Sequence, residues 1–363
     1  TNNMAYTTIN KSSLHFNTVL YAGNASYGHG ITGVGFQPDW VWIKRRDGSA
    51  RNHELYDVVR GTDKALYSSS NGAESTGSNL LHSFDSDGFT VDDHAGINGN
   101  DNFVSWNWKA GGTGSANSNG DISSTVSANT TAGFSIVAYT GNGTGNSTIG
   151  HGLGATPTFI IVKRRDSTGN WGTYNPAFVS ASDPGLLYLD TNNSKQADTN
   201  VFGTSAAFTS TTFTVGDWNG SNVNYGNYIA YCFAEKTGYS KFGSYQLNNN
   251  NDNTFIYTGF KPKFILIKNS DNVEHWYILD TERDKLNPLQ NADDSFLRAN
   301  TDANEDNASS GANSVAIDLL SNGFKIRTSN PASGELSFGT RNYIYMAFGQ
   351  SLVGSNDIPC TAR

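Results

Sequence analysis

The sequence predicts an all-β protein made of three tandem β-sandwich units of the jelly-roll or concanavalin-like type. Two observations predict this fold class. Short apolar runs alternate with clusters of Gly, Asn, Ser and Asp along the 363 residues, a pattern typical of strands and turns. The same ordered set of strand landmarks also occurs three times. No stretch shows the sustained apolar period of a long helix.

The clearest repeated element is a strand that follows a proline. Residues 33–47 read GVGFQPDWVWIKRRD, residues 152–166 read GLGATPTFIIVKRRD, and residues 259–268 read GFKPKFILIK. Each copy continues to a Phe-containing strand and then to a closing aromatic strand, which covers residues 102–108, 227–233 or 342–348. The constant order of these landmarks predicts three copies of one unit.

The proline-led strand is apolar on both faces. Trp40 and Trp42 point to one side, whereas Val41 and Ile43 point to the other, because side chains alternate along a strand. A strand that is apolar on both faces is typical of a central position that is covered from both sides.

The chain divides into three repeats and three connecting or terminal segments. The 20-residue stretch between the first two repeats has the composition of a flexible linker, although its second half is alternatively an edge strand. The predicted boundaries are an N-terminal arm over 1–13, repeat 1 over 14–112, a Gly/Ser/Asn/Thr linker over 113–132, repeat 2 over 133–238, repeat 3 over 239–350 and a C-terminal tail over 351–363.

Composition and charge exclude several classes of partner. The formal net charge is −8 and the isoelectric point is near 5.3, which argues against binding of nucleic acid or of an anionic membrane surface. No apolar run approaches the roughly 20 residues of a membrane-spanning helix. Cys232 and Cys360 are too few for a disulfide framework or a zinc site, and we expect no metal and no cofactor.

The carboxylates do not form a catalytic pattern. A sandwich-type glycan hydrolase needs two carboxylates that face each other across a cleft. Glu54 and Asp57 are three positions apart, which sends them to opposite faces of a strand. The aspartates 85, 87, 92 and 93 are either a calcium site or a solvated turn, and we favour the turn because loop-motif spacing is lacking. We expect a protein without enzymatic activity and assign no catalytic residue.

Two acid–base pairs recur at the same spacing. Asp57 and Arg60 correspond to Asp280 and Arg283. These pairs either present polar groups to a ligand or form ion pairs that fix a loop, and we favour the structural ion pairs because arginine forks readily onto carboxylates.

Tryptophans separate into core and loop positions. Trp40, Trp42, Trp106 and Trp108 are replaced in the other copies by other aromatic or aliphatic residues, which is typical of core positions. Trp218 instead lies in a Gly/Asn loop, where an aromatic ring can stack on a sugar. The predicted glycan-binding residues are Trp218, Asp217, Asn219 and Asn222.

Three motifs carry a family resemblance. They are residues 4–12 (MAYTTINKS), residues 33–39 (GVGFQPD) and residues 238–245 (GYSKFGSY). Together they resemble a group of repeat-bearing, tail-fibre-like or lectin-like sandwich proteins of tailed bacteriophages, common in marine phages. The resemblance covers residues 4–350 and implies a component of the phage particle. It implies no catalytic residue. The third repeat departs from the pattern because it has Asn269-Ser270-Asp271 in place of Arg-Arg-Asp.

The expected function is therefore that of a structural virion protein in a fibre, an appendage or the particle surface, with contact to host-surface glycans as an additional expectation. We expect its partners to be other virion proteins and further copies of itself, with a trimer favoured. The alternative is a secreted carbohydrate-binding module or a glycan depolymerase.

Overall fold

The computed structural model describes residues 6–180, 183–197, 200–203, 207–248, 250, 253–283, 295–307, 317–327 and 340–353. These residues form antiparallel sheets and very little helix, which confirms the predicted all-β fold class.

Repeat 1 contains a six-stranded sheet and a three-stranded sheet. The large sheet has the order β1-β9-β3-β4-β5-β6, and the small sheet has the order β2-β8-β7. A 3-10 turn (Ser12–Leu14) precedes the first strand and a short helix α1 (Ala95–Asn98) precedes the last. The strands are β1 Phe16–Ala22, β2 His29–Thr32, β3 Trp40–Arg45, β4 Glu54–Asp57, β5 Gly61–Leu66, β6 Ser75–Thr76, β7 Leu81–Asp85, β8 Gly88–Val91 and β9 Asn102–Trp108.

Repeat 2 has the same core order with additional strands at both edges. Its large sheet runs β10-β11-β12-β20-β14-β15-β17-β16, β18 also pairs with β17, and the small sheet is β13-β19. A 3-10 turn covers Pro176–Phe178. The strands are β10 Ser115–Asn117, β11 Ser124–Asn129, β12 Phe134–Thr140, β13 Ser147–Gly150, β14 Phe159–Arg164, β15 Gly172–Tyr174, β16 Val179–Ser180, β17 Asp183–Tyr188, β18 Gln196–Ala197, β19 Thr212–Val215 and β20 Asn227–Phe233.

Repeat 3 returns to the arrangement of the first repeat. Its sheets have the orders β21-β29-β23-β24-β25-β26 and β22-β28-β27. The strands are β21 Ser240–Gln246, β22 Phe255–Tyr257, β23 Lys261–Asn269, β24 Trp276–Asp280, β25 Ser295–Arg298, β26 Asp306–Asn307, β27 Ile317–Leu320, β28 Gly323–Ile326 and β29 Asn342–Gln350.

The segment over 113–132, predicted as a linker, contains β10 and β11. β11 pairs antiparallel with β12 along its whole length, from Ser124 opposite Tyr139 to Asn129 opposite Phe134. The second half of the segment is thus a strand, as the alternative expected, but the edge of the sheet is β10, which pairs with the other side of β11. The polar residues Ser115 and Asn117 of β10 fit this edge position, because the outer side of an edge strand stays in contact with water.

Each large sheet covers two different cores. Val41 and Ile43 pack into a local core between the large and small sheets of repeat 1. Trp40 and Trp42, on the opposite face, pack into a central core that contains residues of all three repeats. Equivalent alternation places Ile160 and Ile265 in the local cores of the second and third repeats. The proline-led strand is therefore apolar on both faces because it separates two cores.

The central core brings the three repeats into mutual contact through aromatic rings. Trp40 stacks on Tyr231 with centroids 4.3 Å apart, Phe16 stacks on Phe348 at 5.2 Å, and Phe233 lies 5.9 Å from Phe348. The predicted core positions of the four tryptophans are confirmed, since each is no more than 1% exposed: Trp40, Trp42, Trp106 and Trp108. The three large sheets thus enclose one shared hydrophobic interior.

The described part of the N-terminal arm, residues 6–13, docks on repeat 3. Ile9 is buried in the central core, and the Ser12 amide donates a 2.7 Å hydrogen bond to Oε1 of Gln350. From the sequence, we expect the arm or the tail to become ordered by contact with another subunit or with the particle. The contacts of residues 6–13 instead lie within the chain itself. Residues 354–363 of the tail lie outside the described residues.

Candidate functional site

Three buried lysines connect the repeats in a cyclic order. Each stands at the end of a proline-led strand and donates from Nζ to a backbone carbonyl of the next repeat. The bonds run from Lys44 to Asp302 (3.0 Å), from Lys163 to Asn71 (3.2 Å) and from Lys268 to Asn192 (3.4 Å). Repeat 1 therefore contacts repeat 3, repeat 3 contacts repeat 2, and repeat 2 contacts repeat 1 through the same position.

The environment of these lysines disfavours their charge. Their side chains are fully buried, and desolvation lowers the pKa of Lys44, Lys163 and Lys268 to about 8 each. Backbone carbonyls of the neighbouring repeat supply the hydrogen-bond acceptors that water would otherwise provide.

A second cyclic contact uses ring N–H groups. His53, Trp171 and Trp276 occupy corresponding positions near the start of the strand that follows the lysine. Each ring nitrogen meets a carbonyl of the neighbouring repeat: His53 Nε2 and Arg298 O (3.1 Å), Trp171 Nε1 and Tyr67 O (3.0 Å), and Trp276 Nε1 and Tyr188 O (2.9 Å). Trp42 Nε1 donates to Nδ1 of His53 at 2.8 Å, so Nε2 of that histidine carries the proton and donates.

Two interfaces add a network of charged side chains. Arg165 of repeat 2 forks onto Glu74 of repeat 1 at 2.9 and 3.0 Å. Arg60 also donates to Glu74, at 3.2 Å, and forms a 2.5 Å ion pair with Asp57. Asp57 in turn accepts a 2.8 Å hydrogen bond from the phenol of Tyr231 in repeat 2. We call these five residues the first interface network.

The interface between repeats 1 and 3 repeats this arrangement. Arg46 forks onto Glu305 at 2.7 and 2.9 Å, and Arg283 donates to the same carboxylate at 3.1 Å. Arg283 pairs with Asp280 at 2.6 Å, and Asp280 accepts from the indole of Trp106 at 3.0 Å. The structure thus places both predicted ion pairs inside contacts between repeats, in addition to fixing their own loops.

The ion pairs shift the pKa values of Glu74 and Arg46 in the directions that favour the charged forms of both side chains. Burial acts to raise the pKa of Glu74, but hydrogen bonds from Arg165 and the charge of Arg60 outweigh it and leave the pKa below its usual value. The hydrogen bonds from Arg46 to Glu305 are the main cause of the raised pKa of that guanidinium.

At the third interface, between repeats 2 and 3, the described residues at the glutamate, arginine and aspartate positions are Lys195, Ser270 and Asn175. A backbone hydrogen bond identifies the equivalent glutamate and arginine positions. The Glu74 amide donates to the Arg165 carbonyl at 2.8 Å and the Glu305 amide to the Arg46 carbonyl at 2.9 Å, and the Lys195 amide likewise donates to the Ser270 carbonyl at 2.7 Å. The side chains differ: lysine stands where the other interfaces have glutamate, and serine where they have arginine. Asn175 replaces the aspartate, and its Nδ2 has no hydrogen-bond partner among the described residues. Met346 holds the position of Tyr231 and Trp106 in the closing strand.

These buried groups hold the repeats together rather than forming an accessible site. The polar atoms of Asp57, Arg60, Asp280 and Arg283 contact other protein groups, and the four side chains are fully buried. A ligand would have to displace an ion pair to reach them, which is costly in a desolvated environment.

The predicted glycan residues lie together in one loop of repeat 2 but differ in accessibility. Asp217 and Asn219 are exposed, while Trp218 is half-buried against Tyr188, with ring centroids 5.6 Å apart. Gly220 allows the indole to lie over the backbone, because a Cβ there would stand 1.6 Å from the ring. The loop therefore presents one part of the indole beside two exposed polar side chains.

Asn222 has a different role from the other three residues. Its side chain is fully buried, and Nδ2 donates to Asn142 Oδ1 at 3.1 Å and to the Thr144 carbonyl at 2.8 Å. Its Oδ1 accepts from the Asn142 amide at 2.9 Å. The side chain ties two loops together and is not available to a ligand in this arrangement.

The same loop carries an exposed aromatic residue that sequence reasoning did not single out. Tyr225 is 80% exposed and adopts a left-handed backbone conformation with φ of 63°. A single aromatic between Asn224 and Gly226, in a segment of turn residues, is the signal that could have identified it. Bulky residues rarely adopt positive φ, so the position combines strain with exposure.

A buried contact between two ionisable side chains, Glu54 and His94, lies elsewhere in repeat 1. Glu54 is buried, accepts a 2.5 Å hydrogen bond from Tyr56 and lies 3.2 Å from Nδ1 of His94. The interaction with the Glu54 carboxylate raises the pKa of the His94 imidazole. The aspartates 85, 87 and 92 accept hydrogen bonds from protein groups nearby. Within the described ranges, no three His, Cys, Asp or Glu side chains come together as metal ligands.

A family model for a domain of unknown function, DUF7483, matches residues 11–351. The chain belongs to the DUF7483 family. The DUF7483 match spans all three repeats, the described arm residues from Lys11 onwards and both interface networks. No curated protein and no solved structure shows significant similarity to the chain. In the described part of this DUF7483 member, no helix has the length and apolar character needed to cross a membrane.

Proposed function

We propose that this chain is a non-enzymatic structural protein of a tailed-phage particle, located in a fibre, an appendage or the particle surface. The resemblance of its three sequence motifs to phage sandwich proteins is one support for this proposal. The second support is the cyclic closure of the three repeats.

The cyclic closure supports this proposal because it joins the three repeats of one chain into a single closed unit. Each repeat donates to one neighbour and accepts from the other through the lysine and ring contacts. The central core lies between all three sheets, so opening one interface exposes apolar surface of the other two repeats. A unit that is closed in this way suits a mechanical or display role.

The partners in this proposal are other virion proteins and further copies of the chain. The central core is already filled by the repeats of one chain, so a homo-oligomer would use the outer surfaces of the sandwiches. The loops of repeat 2 around Trp218 would contact host-surface glycans, because an aromatic ring beside exposed Asp217 and Asn219 offers both an apolar face and hydrogen-bonding groups.

Particle composition tests the proposal directly. Mass spectrometry of purified phage particles should detect the chain, and antibodies against the full chain should decorate the particle surface in electron micrographs. Detection in infected cells but absence from purified, intact particles would overturn the proposal.

The alternative is a secreted carbohydrate-binding module or a glycan depolymerase. The exposed aromatic loop of repeat 2 favours glycan contact under either function. The location of the protein distinguishes a virion component from a secreted protein, since a secreted protein accumulates in the medium and is not bound to particles. Release of reducing ends from a polysaccharide by the purified chain would identify a depolymerase.

A further inference from the structure

The most exposed aromatic ring of the described residues lies in the loop that precedes the closing strand of repeat 2. We propose that Tyr225 in this loop stacks on the apolar face of an uncharged pyranose ring in a host glycan. This inference rests on the glycan contact in the proposed function, and it identifies Tyr225 as the principal ring and the sugar as uncharged.

The loop holds Tyr225 outward through a rigid backbone. The Tyr225 amide donates to the Gly141 carbonyl at 2.9 Å, and the Gly226 amide donates to the Val223 carbonyl at 3.0 Å. The phenol of Tyr228 links the two ends of the turn, because it donates to the Asn219 carbonyl and accepts from the Val223 amide, both at 2.8 Å. The ring is therefore presented by a fixed loop, which reduces the entropy lost on binding.

Two glycines make this tight loop possible. A Cβ at Gly141 would lie 2.4 Å from the Val223 carbonyl oxygen, and one at Gly226 would lie 2.7 Å from Cγ1 of Val223. The neighbouring residue Tyr225 nevertheless keeps a bulky side chain at positive φ while 80% of it faces solvent. A strained, exposed aromatic residue contributes little to the core, which points to a role outside the fold.

The surroundings of the ring favour a neutral sugar. Asn224 is exposed and directly precedes Tyr225 in sequence, and its amide group can both donate to and accept from hydroxyl groups. Arg164, which donates a hydrogen bond to Asn219 of the same loop, is occupied by ion pairing with Asp166 at 2.9 Å. An anionic sugar would therefore find no uncommitted positive charge in these residues.

Titration of the full chain with neutral oligosaccharides tests this inference. The probes are an array of glucose, galactose, mannose and N-acetylglucosamine oligomers, followed by calorimetric titration with the best binder. Tyr225→Asn removes the ring and suits positive φ, so it should fold normally and bind at least about tenfold more weakly. Tyr225→Phe keeps the ring and should bind within about threefold of the unchanged protein.

Tyr27→Asn is the matched control, because Tyr27 is 66% exposed in repeat 1. Its affinity should stay within about twofold of the unchanged protein. Equal binding by the Tyr225→Asn variant, or equal losses in both variants, would overturn the role of Tyr225. Absence of binding to every neutral oligosaccharide would overturn the glycan contact and this inference together. Neither result bears on detection of the chain in particles, which tests the structural role separately.

Discussion

The phenol of Tyr231 in repeat 2 donates a 2.8 Å hydrogen bond to Asp57 in repeat 1, and both side chains are fully buried. Trp106 stands in the same relation to Asp280 at the next interface. Where the carboxylate is replaced by Asn175, the corresponding position in the closing strand is Met346, which has no N–H or O–H to donate. The donor and the carboxylate thus change together within one chain, because a buried carboxylate requires hydrogen-bond donors.

The interface networks should contribute measurably to stability. Glu74→Gln removes the counter-charge shared by Arg60 and Arg165, and we expect the free energy of unfolding to fall by about 3 kcal/mol. Glu305→Gln should have a similar effect at the other interface. Denaturant unfolding of the full chain measures both, with Asp217→Asn as an exposed control that should change stability by less than about 0.5 kcal/mol. Equal effects of all three substitutions would contradict this account.

The central core should be sensitive to loss of tryptophan. Trp42→Ala and Trp108→Ala should each lower the free energy of unfolding by about 3 to 5 kcal/mol, because each leaves a cavity among fully buried aromatic rings. The comparison is Leu14→Ala, at a position that is 44% exposed. Tryptophan substitutions that cost less than about 1 kcal/mol would mean that these rings are not core residues.

A single repeat should not behave as an independent domain. Isolated residues 14–112 would expose Trp40, Trp42, Trp106 and Trp108, which in the full chain are covered by the other two repeats. We expect this fragment to self-associate and to bind a hydrophobic dye, as exposed apolar patches of this kind do. Light scattering and dye fluorescence provide the measurements, with the full chain as the reference. A monomeric fragment that unfolds cooperatively would refute the prediction.

Stability should rise with pH between about 8 and 10 because of the buried lysines. Their folded pKa values are about 8, compared with 10.5 when exposed, so in this window the unfolded chain binds more protons than the folded chain. The free energy of unfolding therefore increases until the unfolded lysines also lose their protons. Unfolding curves at several pH values test the sign, and Lys163→Met should reduce the slope. A flat or falling profile below pH 9 would be inconsistent with lowered lysine pKa values.

Local features of the fold follow from the sequence because they depend on a few neighbouring residues. Alternation in the proline-led strand predicts that both Trp40 and Val41 are covered, and the repeated landmarks predict three copies of one strand order. Asp57 and Arg60 lie three residues apart, so their pairing could also be anticipated. The loop position of Trp218 identified a segment with exposed polar residues, although not the most exposed ring in it.

Only the tertiary structure determines which surfaces meet. Lys44 and Asp302 are 258 residues apart, and their contact depends on the closure of all three repeats, which no local pattern encodes. The same reason explains why Trp40 faces a shared core and not the interior of its own sandwich. Asn222 and Tyr225 occupy one polar loop, yet the packing of the neighbouring loop buries the first and leaves the second in solvent. Sequence alternation thus specifies which faces are apolar, whereas long-range packing decides what each face contacts.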